Sequence, residues 1–156
     1  MFSHKADHSL DSAVEAYNSG EFESAIAEMQ NAANSGSPIA QHQLAYMHRE
    51  GLGTAQSDEL AFKWYERAAE QGHVKAQTVV GELYEQGIGV SQNQERAAHW
   101  YREASNQDEH YATASLGMMY LSGRGVPEDQ LEGVRLLQIA AIHGVPDAHL
   151  KLGNIF

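Results

Sequence analysis

The sequence predicts an all-α repeat fold, and three observations carry that prediction. Aligned against itself at an offset of 36 residues, the chain keeps one unbroken register. Within each period the apolar residues recur on the spacing of one helix face. The composition is rich in Ala, Glu, Gln and Leu and poor in Val and Thr, which favours helix over strand.

The register divides the 156-residue chain, read as a single domain, into residues 9–36, 37–72, 73–108 and 109–144, with a partial or capping segment at 145–156. In the first half of each period Ala40, Ala76, Ala112 and Ala148 recur, as do Leu44, Val80, Leu116 and Leu152. Beside them lies a column of very small residues, Ala45, Gly81, Gly117 and Gly153. Met47, Leu83, Met119 and Ile155 follow, then His48, Tyr84, Tyr120 and Phe156. This is one face of a first helix, and its smallest residue lets a second helix approach closely. The second helix carries Ala61/Ala97/Gly133, Trp64/Trp100/Leu136, Tyr65/Tyr101/Leu137 and Ala68/Ala104/Ala140. A helical hairpin of this kind cannot bury its apolar face alone, and stacking on its neighbours buries it.

Gly72 and Gly144 fall just past the second helix, where a left-handed cap is expected. Asp108 holds that place in the third period, so a looser junction or a different helix end is expected there. Residues 20–36 fit the second-helix register, with Ala25 and Ala32 in the columns of Ala61 and Ala68, but the loop before them is shorter than in the later periods.

Nothing in the composition suggests disorder: 42% of residues are hydrophobic and 20% charged. The formal net charge of −11 repels nucleic acid and anionic lipid and would attract a basic partner patch. Cysteine is absent, which excludes disulfides, thiolate metal sites and cysteine nucleophiles. No stretch has the apolar core of a signal peptide or the length of a membrane span. As written, the chain reads as cytoplasmic, or as periplasmic or secreted if a leader preceded it.

The A-x-x-x-L-G-x-x-Y-x-x-G-x-G-V pattern, followed by A-x-x-W-Y-x-x-A-A-x-x-G, resembles Sel1-like repeats, relatives of tetratricopeptide repeats. The segment Gly20-Glu21-Phe22-Glu23-Ser24-Ala25-Ile26 looks more like an ordinary tetratricopeptide unit. Departures are His48 for Tyr, Thr54 for Val, Gly133 for Ala and Leu136 for Trp. The resemblance implies a right-handed superhelix of antiparallel helix pairs, acting as a non-catalytic interaction scaffold or adaptor. Some bacterial members resemble toxin-neutralising immunity proteins, which is one alternative. A cysteine-rich branch with affinity for β-lactams implies a hydrolase alternative, which the absence of cysteine does not support.

Several features invite a catalytic or ligand-binding reading. Gly51/Gly53, Gly87/Gly89 and Gly123/Gly125 could suggest phosphate loops, but no strand precedes them and no Lys-Ser/Thr follows. Three copies at one repeat position fit the bend between paired helices instead. His4 and His8 have the spacing of two ligands on a helix, without a third fixed by spacing. His48 reads as a core-edge substitute. The Trp and Tyr columns read as packing. No cofactor, metal or catalytic constellation is expected.

In superhelices of the family it resembles, first helices line the concave side. Counting from the core columns then places His42, Tyr46 and Arg49, Thr78, Glu82 and Glu85, and Ala114, Met118 and Leu121 on that face, with Tyr111 nearby. Glu15 and Asn18 add to it from the first hairpin. Met118 and Leu121 mark an apolar end that either anchors a partner or lies under a C-terminal segment. The expected function is capture of a protein or peptide, its basic groups selected by the acidic part of this face.

Overall fold

The computed structural model describes residues 3–155, with side chains described from Leu10 onward. Its elements are α1 (Ser3–Asn18), α2 (Phe22–Asn34), α3 (Pro38–Glu50), α4 (Asp58–Glu70), α5 (Val74–Gln86), α6 (Gln94–Asn106), α7 (His110–Ser122), α8 (Gln130–Ile142) and α9 (Pro146–Ile155). No strand occurs among the described residues. Two compact units divide the chain. One takes the residues up to Ala76 with Ile88–Val90, the other Gln77–Gly87 with Ser91 onward.

The helix boundaries follow from caps that repeat with the period. Ser57, Asn93 and Asp129 accept through their side chains from the N–H groups of Leu60, Arg96 and Glu132 at 3.2, 3.0 and 3.0 Å. Ser37, His73 and Glu109 do the same for α3, α5 and α7, accepting from Ala40, Ala76 and Ala112 at 3.2, 3.2 and 2.6 Å. Each such cap contributes about 1 kcal/mol. At the other end of the second helices, Asp108 adopts φ 62°, the same left-handed turn as Gly36, Gly72 and Gly144. Its N–H donates to Ser105 O at 3.0 Å, just as Gly72 donates to Ala69 O at 2.9 Å. The third junction therefore ends like the others, at the cost of placing a side chain in glycine's region.

The first unit stacks α1, α2, α3 and α4 in sequence around Ala13, Met29, Leu44, Met47 and Tyr65. In the second, α6, α7, α8 and α9 stack in sequence around Tyr101, Leu116, Met119 and Leu137, and α5 adds Val80 and Leu83 to the buried set. The small-residue column works as the sequence implies. A Cβ on Gly81 would meet the Tyr101 ring at 2.7 Å, and one on Gly117 would meet the Gly133 carbonyl at 3.1 Å.

The paired glycines do more than bend the chain. Gly51 and Gly123 cap α3 and α7 in the left-handed conformation. The second glycine of each pair, at φ 72°, 71° and 70°, lies against the preceding hairpin. A Cβ on Gly53, Gly89 or Gly125 would overlap the carbonyl of Phe22, Asp58 or Gln94, the residues that open α2, α4 and α6. The motif is thus a contact between neighbouring repeats. An open recess of about 710 Å³ beside Gly123 and Gly125 has Glu95 as its charged lining residue, which suits no phosphate.

A buried polar column escaped the sequence reading. Gln41 donates to Ala33 O at 3.1 Å and accepts from Gln71 at 2.7 Å, and Gln77 accepts from Gln107 at 2.8 Å. Thr113 shares a 2.6 Å bond with Ser105. These side chains bond to the hairpin junctions.

Candidate partner-binding surfaces

The residues predicted to line one face fall into three groups. Columns 111, 114, 115 and 118 of α7 and, one period on, Asp147, Leu150, Lys151 and Asn154 of α9 enclose a cavity of about 300 Å³. Tyr111, Ala114 and Met118 were among the predicted residues. Ala114 forms its buried wall, Met118 is half-buried, and Tyr111 is 48% exposed. The four α9 residues were missed, although the 36-residue period alone points to them.

Carboxylates surround Tyr111. Burial raises its phenol above the ordinary range, and the charges of Glu82, Asp147, Glu85 and Glu109 push in the same direction. Glu82 is half-buried on α5. Thr78, also predicted to face a partner, is buried, and its hydroxyl donates to Glu109 at 3.3 Å.

The column of Arg49, Glu85 and Leu121 also makes contacts within the repeats. Each of these residues turns toward the second helix of its own hairpin. Burial pushes the Tyr65 phenol up to about 12, and the nearby charge of Arg49 opposes that rise. Glu85 accepts from the Tyr101 hydroxyl at 2.7 Å and pairs with Arg124 at 3.2 Å. Where the tyrosine is replaced by Leu137, no hydroxyl needs a partner, and the column residue is Leu121. Leu121 packs on the cluster of Leu137, Ala140 and Ala148, and its side chain is what a Cβ on Gly133 would meet at 2.6 Å. Leu121 and Met118 are both partly buried, and both rest against this cluster with Val145 and Leu152. Residues of the last segment thus share the covering of this apolar end.

In the first unit Tyr46 is 39% exposed. His42 stacks on His73 with centroids 4.7 Å apart and meets Tyr65 edge-on at 5.4 Å. Burial, helped by the charges of His73 and Lys75, lowers His42 to about 4. Glu15 is not part of this cluster. It lies in a polar recess with Ser24 and Glu28 of α2, and Asn18 is exposed on α1.

His48 is buried in the tyrosine column, with its Nδ1 unpartnered. Among the described residues no group of three or more His, Asp or Glu is placed to hold a metal ion. The side chains of His4 and His8 lie outside the described residues. No described helix is long and apolar enough to cross a membrane.

Sel1 repeat profiles match residues 38–73, 74–109 and 110–145. The chain belongs to the Sel1 repeat family. Among solved structures, a Sel1 repeat protein from Oxalobacter formigenes is 32% identical, with a TM-score of 0.85 over 94% of this chain and 60% of that one. A protective antigen present in uropathogenic Escherichia coli strains, displaying an SLR fold, is 28% identical, with a TM-score of 0.90 over 96% of this chain and 33% of that one. The chain therefore spans less than two thirds of the first relative and a third of the second. Helicobacter pylori cysteine-rich protein B shares the fold at 21% identity and a TM-score of 0.59, over 78% of this chain and 92% of that one. A search of curated proteins gives no match. Sel1 repeat proteins generally mediate protein–protein interaction and are typically non-catalytic scaffolds.

Proposed function

We propose that this Sel1 repeat protein is a non-catalytic adaptor that captures a protein segment at the cavity between α7 and α9. The observation that carries this reading is the pairing of an apolar cavity of about 300 Å³ with an exposed tyrosine among four carboxylates. Ala114, Met118, Val145 and Leu150 offer an apolar seat for one side chain. Glu82, Glu85, Glu109 and Asp147 bias the rim toward a neighbouring Lys or Arg. Two carboxylates already have internal duties, Glu85 with Tyr101 and Glu109 with Thr78 and the α7 cap. Asp147 is then the principal charge offered to a partner. The preferred segment has an apolar residue beside a basic one, and a preformed pocket limits the entropy lost on binding.

Selection of peptides from a random library on the purified protein tests this reading. Enrichment of an apolar residue next to Lys or Arg, with affinity that weakens as salt rises, supports it. Enriched peptides lacking basic residues, or bound equally at high salt, would contradict it.

A further inference from the structure

A second cavity lies in the second unit, on α6, α7 and α8, and the repeat pattern shows what it is shaped to hold. Its floor is Leu116, Leu136 and Ile139, and its volume is about 290 Å³. Leu136 stands in the column that Trp64 and Trp100 occupy in the other repeats.

Two contacts mark where an indole ring lies in this repeat. Arg67, three residues after Trp64, sits over its ring at 4.7 Å. His99, one residue before Trp100, meets that ring edge-on at 5.2 Å. In the Leu136 repeat the same two columns are Ile139 and Arg135, and both line the cavity. The empty space therefore coincides with the ring position that leucine leaves unfilled.

We propose that this cavity binds the indole ring of a tryptophan side chain on a partner polypeptide. A dry cavity of about 150 Å³ already accepts benzene, so this one has room for two fused rings. The cations at the rim are committed internally, which suits a neutral ring. Arg135 makes a two-pronged contact with Glu132 at 2.7 and 2.8 Å, and Arg102 donates to the Tyr120 hydroxyl at 2.6 Å. Their guanidinium groups remain able to lie over an aromatic face. His110 also lines the cavity, its ring stacked on that of His143 with centroids 3.8 Å apart.

The test is a methyl-detected NMR titration with N-acetyl-L-tryptophanamide. The expected result is saturable shifts at the Leu136 and Ile139 methyls, with none from N-acetyl-L-alaninamide. Leu136→Trp restores the residue of the other repeats, so it should fold, melt no lower than wild type and lose binding at least about tenfold. Leu136→Phe, a smaller filling, should weaken binding by an intermediate factor and keeps the test decisive if the tryptophan variant fails to fold. Absence of methyl shifts in wild type, equal shifts from the alanine amide, or undiminished binding by a folded filling variant would overturn the proposal. Tighter binding of free L-tryptophan than of the amide would overturn the polypeptide source.

Discussion

The Tyr101 hydroxyl donates a 2.7 Å hydrogen bond to the Glu85 carboxylate, and that bond converts a surface glutamate into part of the hairpin's internal wiring. Tyr101 is 1% exposed, so its hydroxyl would otherwise be a buried donor without a partner. Tyr101→Phe should cost about 1–2 kcal/mol in denaturant unfolding. Burial and then Glu85 hold the phenol proton well above its ordinary range. The unfolded chain releases this proton near pH 10 while the folded chain keeps it, so stability is complete below that pH and falls above it. Unfolding curves measured up to strongly alkaline pH should show a shallower fall in Tyr101→Phe than in wild type.

The pairs Arg49 with Tyr65, Glu85 with Tyr101 and Leu121 with Leu137 imply coupled columns. Leu121→Glu alone buries a carboxylate against Leu137 and should destabilise by about 2–4 kcal/mol. Adding Leu137→Tyr supplies the missing hydroxyl and should recover about 1 kcal/mol or more of that loss. A double-mutant cycle in urea measures the coupling, and strict additivity would refute the pairing.

The glycines should divide by what lies near them. Gly72 has open space around its missing Cβ, so Gly72→Ala pays only for its positive φ, about 1 kcal/mol. Gly89 adds an overlap with the Asp58 backbone, so Gly89→Ala should cost about 2–5 kcal/mol. Thermal melts of the two variants compare them directly.

Acid should weaken the first unit before most carboxylates titrate. His42 is lowered to about 4, and His73 and His48 are lowered mainly by burial. Their contribution to stability is present above about pH 6.5 and is lost as pH falls toward 4, because the unfolded chain takes up the protons first. Protonating His73 also removes the acceptor that caps α5 at 3.2 Å. His42→Phe keeps a ring against His73 and Tyr65 and should lose less melting temperature between neutral pH and about pH 5.5.

The period made the helices, their order and most of the core legible from sequence, because columns such as Leu44, Val80 and Leu116 record burial directly. It also contained the α7–α9 cavity, since Asp147 and Leu150 repeat Tyr111 and Ala114. Counting inward positions did not reveal the internal contacts of Leu121, because that column sits at the boundary between the exposed face and the paired helix, where the identity of residue 137 decides what it meets. The Asp108 turn was open for a related reason. The backbone hydrogen bonds of the junction impose the left-handed turn, and residue preference alone does not reveal it.

Calorimetric titration of a library-selected peptide into wild type and Ser115→Arg tests the central claim most directly. Ser115 lines the α7–α9 cavity at a partly exposed site, so arginine there should obstruct the seat and oppose a basic partner without disturbing the core. The account predicts binding at least about tenfold weaker in Ser115→Arg at an unchanged melting temperature. Equal affinity in the two proteins would contradict it.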